Sequence, residues 1–286
     1  MIYAELRGGL GNQLFQIFAT IAYAIQHDAT YYFPDDTYLV PNDNTGLGKR
    51  PTYWDSFLSN LKKYTIPNPT HKMNMYRFME DGLEYKEIPE KMNLSLYGFF
   101  QSEKYFKKEF NAIRNLIGIE TKKKELLDMY PRNYSNTISV HFRLGDYKKL
   151  ADYHPIATYK YYKNAIHHIL NETSSSSSNY YVSNVLYFCE KDPEDNSRVS
   201  IAISLLKKEF PCLTFVPVEE DMPDWKQMLT MSLCKHNIIA NSSFSWWGAY
   251  FNSDEEKIVC YPSEWFGPKN QHLNTHDLCP ESWIKI

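Results

Sequence analysis

The stretch Ile138-Ser-Val-His-Phe-Arg-Leu-Gly-Asp-Tyr147 combines the pattern of a β-strand with a cluster of polar and charged side chains. Up to Phe142 hydrophobic and polar residues alternate, which places His141 and Arg143 on the same face. Asp146 follows at the turn. Ligands bind at strand ends in open parallel sheets, and arginine holds phosphate through two parallel hydrogen bonds. The stretch therefore indicates an anion site or, as a simpler alternative, a solvent-facing strand with a surface ion pair.

Composition limits the class of protein. The chain has 286 residues, which suits two domains of ordinary size. Hydrophobic residues make up 43% and charged residues 23%, as in ordinary globular proteins. The formal net charge of −3 gives no basic surface for nucleic acid. The aromatic content of 16% slightly favours contact with sugar rings.

No pattern for export or membrane insertion occurs in the sequence. It opens on a strand-like segment, Met1-Ile-Tyr-Ala-Glu-Leu6, and contains no run of 18 apolar residues. The five cysteines lack the spacing of a metal site or of a disulfide framework, which fits reduced thiols. These features predict a cytoplasmic protein without a transmembrane segment, with peripheral membrane contact left open.

A glycine-containing loop joins the first strand to the first helix. The loop Arg7-Gly-Gly-Leu-Gly-Asn-Gln13 precedes hydrophobic residues at helical spacing through about Gln26. Backbone N–H groups at such a helix start can bind a phosphate. The amide side chains of Asn12 and Gln13 can form hydrogen bonds with ligand hydroxyls or phosphate oxygens. The third glycine of the dinucleotide fingerprint is absent. A purely structural turn is therefore an equal alternative.

Strands and helices alternate in the second half, the pattern of a parallel sheet wound on both faces. One connection, Asn241-Ser-Ser-Phe-Ser245, is a serine-rich turn entering a helix and a second candidate anion site. The alternative is a serine cap followed by Trp246 and Trp247 in the core. The weak periodicity of residues 27–95 predicts loops and short elements there. The polar stretch 131–135 predicts a hinge between two domains.

Four blocks of the sequence resemble the bacterial-type inverting α-1,2-fucosyltransferases, glycosyltransferase family 11. In the family's order they are Gly8-Gly-Leu-Gly-Asn-Gln-Leu-Phe-Gln16, Tyr97-Gly-Phe-Phe-Gln-Ser-Glu-Lys-Tyr-Phe106, His141-Phe-Arg-Leu-Gly-Asp-Tyr147 and Cys234-Lys-His-Asn-Ile-Ile-Ala-Asn-Ser-Ser-Phe-Ser-Trp-Trp-Gly248. The departure is Leu144, where the family commonly has a second arginine in His-x-Arg-Arg-Gly-Asp. This departure leaves the identity of the donor sugar open.

The resemblance implies an α/β fold of GT-B type, two Rossmann-like domains with a cleft between them. Residues 1–130 would form the N-terminal α/β domain, with the glycine loop and the acceptor side. Residues 136–286 would form the C-terminal domain that binds the GDP-sugar. The implied reaction transfers L-fucose from GDP-β-L-fucose to the 2-hydroxyl of a terminal galactose on an oligosaccharide, with inversion and without metal or cofactor. Alternatives are a transferase for another nucleotide sugar and a non-catalytic glycan-binding protein.

The resemblance also implies roles for individual residues. Arg143 would bind the β-phosphate, and His141 would contact the nucleotide or orient its neighbours. Asp146 would be either the base for the acceptor hydroxyl or the group that locks Arg143. Glu190 and Asp192 follow a strand, at a position where the family binds guanine or ribose. The full set of expected donor-binding residues is Gly9, Gly11, Asn12, Gln13, Glu190, Asp192, Asn241, Ser242, Ser243, Phe244 and Ser245.

Overall fold

The structure is a computed structural model that describes residues 1–40, 48–67, 75–175 and 181–286. The chain divides into two compact units, each built on a parallel sheet. The first unit contains residues 1–122 and 273–280, and the second contains residues 123–272 and 281–286. No helix within the described ranges is long and apolar enough to cross a membrane.

The division between the units falls earlier than the hinge that the sequence predicts. The polar stretch 131–135 lies inside the second unit. Tyr134 in this stretch is buried and packs in a cluster with Leu186 and Met231, and its carbonyl accepts a hydrogen bond from the backbone N–H of Lys235. A buried aromatic side chain therefore fixes a segment whose composition resembles a linker.

The first unit contains a five-stranded sheet and a small antiparallel pair. The sheet has the strand order β5-β2-β1-β7-β6 and all its pairs are parallel, whereas β3 and β4 pair antiparallel. The last helix, α3, continues into the second unit. In chain order the elements are β1 (Ile2–Ala4), α1 (Leu10–Gln26), β2 (Tyr31–Pro34), β3 (Tyr38–Leu39), β4 (Arg50–Pro51), β5 (Thr65–Ile66), β6 (Tyr76–Met79), β7 (Leu94–Tyr97), α2 (Phe110–Ile117) and α3 (Ile119–Met129).

Helix α1 is buried along nearly its whole length, because it is apolar on most of its surface. Phe15 and Phe18 pack against Phe106, with ring centroids 6.0 and 5.4 Å apart. Three of the five strands of this sheet come from residues 27–95, where the sequence predicts only loops and short elements. Strands of two to four residues are too short to show a period.

The second unit contains a six-stranded sheet in which every pair is parallel. In chain order the elements are β8 (Thr137–His141), α4 (Tyr159–Ser175), β9 (Asn184–Phe188), α5 (Pro193–Glu209), β10 (Thr214–Pro217), α6 (Asp224–Met231), β11 (His236–Ile238), α7 (Ser243–Tyr250), β12 (Val259–Tyr261) and β13 (Ile284–Lys285). The spatial order is β10-β9-β8-β11-β12-β13. Counted along the unit this is 3-2-1-4-5-6, the order of the Rossmann fold. The predicted fold class, α/β with two Rossmann-like domains of GT-B type, is confirmed.

Strand β8 lies in the interior of its sheet, and every residue in it is buried. Its polar side chains do not face solvent, in contrast to the simpler alternative considered for this stretch. Ser139 accepts a hydrogen bond of 2.7 Å from the amide of Asn237 on β11. The same amide donates to the carbonyl of Met231 at 2.8 Å. A satisfied buried hydrogen-bond network thus fixes β8 against its neighbour.

Candidate active site

The order of the second sheet reverses between β8 and β11, which are neighbours in the sheet. Connections from two such strands leave on opposite faces, and the crevice outside their carboxyl ends is where ligands bind in this class of fold. The loop after β8 carries Arg143, and the loop after β11 carries residues 241–245. Two regions that the sequence singled out separately are therefore adjacent.

The Arg143 guanidinium is held by two carboxylates and an aromatic ring. It forms ion pairs with Asp146 and with Glu190, and its Cζ lies 4.7 Å from the ring centroid of Tyr147. The Arg143 side chain is 20% exposed. A partly buried guanidinium in a fixed position suits bidentate binding of a phosphate.

Tyr147 connects the two loops at the strand ends. Its hydroxyl donates a hydrogen bond of 3.0 Å to the carbonyl of Asn241. Its ring stacks on that of His154, with centroids 4.7 Å apart and an angle of 18° between the planes. In the sequence Tyr147 stands out only as the end of a motif, because its contact with Asn241, in the loop after β11, depends on the fold.

Helix α5 fixes the loop after β8 from the side of β9. Asp195 on α5 is fully buried. Its Oδ2 accepts a 2.8 Å hydrogen bond from the backbone N–H of Gly145, and its Oδ1 lies 2.6 Å from Nζ of Lys148. Hydrogen bonding to Asp195 raises the pKa of Lys148 above its usual value. Gly145 has φ +38°, and a side chain there would collide with the carboxylate of Glu190.

Sequence reasoning missed Asp195 and Lys148. Asp195 follows Asp192, Pro193 and Glu194, and acidic residues in a first helical turn are accounted for by the helix dipole alone. The one sequence feature that could indicate a further role is the position of Asp195 on α5, which follows β9, the neighbour of β8 in the sheet. Its burial, which depends on how α5 packs, decides the role.

Asp192 and Glu190, expected near guanine or ribose, both have partners within the protein. Asp192 caps α5, where its Oδ1 accepts hydrogen bonds from the backbone N–H groups of Glu194 and Asp195 at 3.0 and 3.1 Å. These hydrogen bonds and Lys148 lower the pKa of Asp192. Glu190 pairs with Arg143. The position of Asp192 is therefore explained by the helix that it begins.

Most polar side chains of the loop after β11 stabilise the loop itself. Ser242 caps α7 by accepting the backbone N–H of Phe244 at 3.3 Å, and the buried Ser245 donates to the Ser242 carbonyl at 3.3 Å. The Asn241 amide donates to the carbonyls of Pro155 and Trp265 at 2.9 and 3.0 Å. The half-buried members of the loop are Ser243 and Phe244.

The tryptophans that follow, Trp246 and Trp247, are fully buried, as the packing alternative predicts. They lie within α7 and contact each other edge to face, with centroids 5.1 Å apart. Trp246 also stacks on Tyr250, with centroids 4.5 Å apart. These rings anchor α7, and its N-terminus points its backbone N–H groups out of the loop.

His141 is buried at the end of β8, beside the ring of Phe244 at a centroid distance of 5.6 Å. Its Nδ1 has no hydrogen-bond partner among the described residues. Burial, with a further contribution from Arg143, lowers the pKa of His141 to about 3. The imidazole is therefore neutral at physiological pH.

The glycine loop lies at the corresponding reversal of the first sheet, between β1 and β7. The side chain of Gln16 accepts the backbone N–H of Arg7 at 2.9 Å and donates to the Arg7 carbonyl at 2.8 Å. Gln13 is fully buried and donates to the carbonyls of Gly8 and Pro51 at 3.0 and 2.9 Å. Gln13 thus holds the loop, whereas the sequence predicted that its amide reads a ligand.

Asn12 joins the glycine loop to the loop after β7. Its Oδ1 accepts a 2.8 Å hydrogen bond from Nε2 of Gln101, a contact that sequence reasoning did not identify. Gly9 precedes the first residue of α1, and Gly11 is buried in its first turn. The half-buried Asn12 and Gly9 are the members of the predicted set at the surface of this loop.

Comparison with known proteins gives the family. The model of glycosyl transferase family 11 matches residues 1–286. The chain belongs to glycosyltransferase family 11. It is 29% identical over 304 residues to an α-1,2-colitosyltransferase of Escherichia coli, a match that covers 100% of this chain and 99% of the relative. It is 27% identical over 324 residues to the O-antigen biosynthesis glycosyltransferase WbnK of Escherichia coli, with 100% of both chains covered.

Solved structures of other glycosyltransferases show distant similarity to this family 11 chain. A mutant of Arabidopsis thaliana FUT1 in complex with GDP has 10% sequence identity and a TM-score of 0.48, with 98% of this chain and 74% of that chain covered. The α-1,6-fucosyltransferase NodZ, co-crystallised with GDP, has 13% identity and a TM-score of 0.41, with 87% and 91% covered.

Replacing Asp195 by Asn is expected to lower the free energy of unfolding by about 2–3 kcal/mol, because a buried ion pair loses one partner. Urea denaturation followed by circular dichroism measures the change. Glu194→Gln is the matched control, since Glu194 also contacts Lys148 but is 61% exposed; we expect a loss below about 1 kcal/mol. Equal losses in the two variants would contradict the role given to Asp195.

The buried His141 makes stability depend on pH. Its pKa is about 3 in the folded state, below its ordinary value of 6.5, so between these values the unfolded chain binds a proton that the folded chain excludes. Stability is therefore lost as pH falls from 6.5 towards 3. His141→Gln is expected to reduce the slope between pH 4 and 6 by about 1.4 kcal/mol per pH unit. Urea denaturation across this range measures the free energy of unfolding of the wild type and of His141→Gln. Parallel dependence on pH in the two proteins would contradict the role given to His141.

Proposed function

We propose that this family 11 glycosyltransferase transfers L-fucose from GDP-β-L-fucose to the 2-hydroxyl of a terminal galactose, with inversion at the anomeric carbon. Family membership across the whole chain supports sugar transfer. The observation that carries the proposal is Arg143, a partly buried cation at the strand reversal of a Rossmann sheet.

The chemistry of the proposed reaction explains the need for such a cation. The acceptor hydroxyl loses its proton to a base and its oxygen bonds to the anomeric carbon, while the bond from that carbon to the β-phosphate oxygen breaks and negative charge grows on the departing GDP. Groups fixed in advance around that charge stabilise the transition state more than the ground state. Arg143 and the N–H groups at the start of α7 supply such groups, with Ser243 and Phe244 at the same helix start.

We propose that Asp146 orients Arg143 and that Glu190 gives up its place to the diphosphate. Asp146 belongs to the same short loop as Arg143 and stays beside it, whereas Glu190 reaches the guanidinium from the loop after β9. Phosphate and the Glu190 carboxylate compete for the same N–H donors. Of the two roles that the resemblance allows for Asp146, its ion pair with Arg143 favours the locking role over that of the base.

The donor sugar has a second candidate, because one relative is an α-1,2-colitosyltransferase. Colitose is L-fucose without its 3-hydroxyl, so the two donors differ by a single hydroxyl group. Leu144 replaces the second arginine common in the family, and this substitution makes a change of donor a reasonable second hypothesis. A transferase for a different nucleotide and a non-catalytic glycan-binding protein are outcomes of the same test.

A donor screen tests the function. The protein is incubated with lactose and with GDP-L-fucose, GDP-colitose, GDP-mannose or UDP-galactose, and product linkage is determined by NMR. We expect a GDP-linked 6-deoxy sugar on O2 of galactose, with the rate retained in EDTA. Arg143→Lys should lower kcat/KM by about 100-fold or more without change in folding. Use of the UDP-sugar, absence of GDP release, or loss of activity in EDTA would contradict the proposal.

Replacing Glu190 by Gln is expected to lower KM for the donor about threefold to tenfold, because it removes a group that competes with the diphosphate for Arg143. Initial rates at varied donor concentration measure the effect. Glu194→Gln removes the same charge nearby and is the control, with little change in KM expected. If Glu190 binds guanine or ribose instead, Glu190→Gln raises the KM for the donor. That result would contradict the proposal that the diphosphate displaces Glu190 from Arg143.

A further inference from the structure

Arginine and aromatic side chains stack at the reversal of the first sheet. Cζ of Arg7, in the loop after β1, lies 4.5 Å from the ring centroid of Phe99 and 4.9 Å from that of Tyr97. Cζ of Arg77, on β6, lies 4.1 Å from the Tyr97 ring. Because β1 and β7 are neighbours, this stack occupies the place in the first unit where Rossmann-like sheets bind ligands.

The two arginines of the stack differ in their ionic partners. Arg77 is neutralised by Glu5, which accepts from its Nε and Nη2 at 2.9 and 3.0 Å. The carboxylate of Glu5 is satisfied further by the hydroxyl of Ser95 at 2.9 Å. Within residues 1–40, 48–67, 75–175 and 181–286, no carboxylate forms an ion pair with Arg7. The stack therefore carries one uncompensated positive charge among the described residues.

Arg7 is also held in position from both ends. Its backbone N–H and carbonyl both form hydrogen bonds with the Gln16 side chain. The residue is half-buried, and its guanidinium lies over two rings. A guanidinium that uses its face for aromatic contact keeps its in-plane N–H donors for another partner. The planar arrangement of those donors matches a carboxylate or a phosphate. The positioning lowers the entropy cost of binding such an anion.

We propose that Arg7, together with Tyr97 and Phe99, forms a subsite for an acidic group on the acceptor glycan. The inference rests on the proposed function, in which the donor diphosphate is bound by Arg143 of the other unit. Tyr97 and Phe99 are half-buried, so that part of each ring remains exposed, and a sugar ring packs on such apolar surface. The acceptor class is therefore a galactose-terminated glycan with a carboxylate or phosphate near the galactose, in preference to a neutral one.

Two β-galactosides that share the terminal galactose and differ in one carboxylate test the subsite: galactosyl-glucose and galactosyl-glucuronic acid. Their dissociation constants are measured by calorimetry on the full chain with GDP present. We expect the acidic disaccharide to bind the wild type about tenfold more tightly. Arg7→Gln should remove this difference, and Arg7→Lys should retain part of it. Thermal unfolding checks that each variant is folded.

The double variant Glu5→Gln/Arg77→Gln is the matched control. It removes one positive and one negative charge from the same stack, so the difference between the two disaccharides should persist. Equal binding of both by the wild type, binding of neither, or a difference that survives Arg7→Gln would overturn the subsite. If Arg7→Gln weakens GDP binding alone, Arg7 serves the donor diphosphate and the acceptor assignment is wrong.

Failure of the proposed reaction would be seen separately from failure of the subsite. The disaccharide measurement detects binding without turnover. Absence of product with every GDP-sugar in the donor screen would contradict the proposed function, whereas the effect of Arg7→Gln on binding would still decide whether the anion subsite exists.

Discussion

The position of Arg143 at the end of β8 is the constraint on which the site in the second unit depends. The strand is buried on both faces, so its end cannot shift without disturbing the core. The loop turns at Gly145 in a left-handed conformation, and Asp195 holds that turn from α5. The Tyr147 hydroxyl then joins this loop to the loop after β11, on the other side of the reversal. These contacts fix the loop, and Asp146, Glu190 and the Tyr147 ring hold the Arg143 guanidinium within it.

In both units, the loop at the reversal of the sheet has backbone groups that side chains of the same region satisfy. A loop that leaves a strand and enters a helix exposes backbone groups that need partners. In the first unit Gln13 and Gln16 supply those partners. In the second unit Ser242 does so, and Asn241 joins its loop to the carbonyls of Pro155 and Trp265. Polar side chains in such motifs therefore give the loop its shape. The groups left for a ligand are backbone N–H groups and a few half-buried side chains.

Sequence reasoning proposed the residues of the candidate site but not the residues that hold them in place. Local patterns can be recognised in a sequence without knowledge of the packing. Such patterns are the alternation before Arg143, the glycine loop and the serine turn. Asp195 lies 50 residues from Gly145, and its contact depends on how α5 packs. Gln13 looked like a ligand-reading amide because the sequence did not show that Pro51 lies beside it.

Long-range contacts also explain why the two units have other bounds than the domains that the sequence predicts. The segment 131–135 has the composition of a hinge, but a buried tyrosine fixes it within the second unit. Residues 273–280 return to the first unit, where Asp277 accepts the backbone N–H of Tyr85 at 3.0 Å and forms an ion pair with Lys104. The partners of Asp277 hold its pKa at about 2. Contacts across nearly 200 residues carry no local signature.

A crystal structure of this protein with bound GDP would show whether Arg143 binds the diphosphate. We expect oxygens of the diphosphate to accept hydrogen bonds from the Arg143 guanidinium, about 2.7–2.9 Å from its nitrogens, beside the N-terminus of α7. A diphosphate bound away from Arg143, with the guanidinium still engaged by both carboxylates, would contradict it.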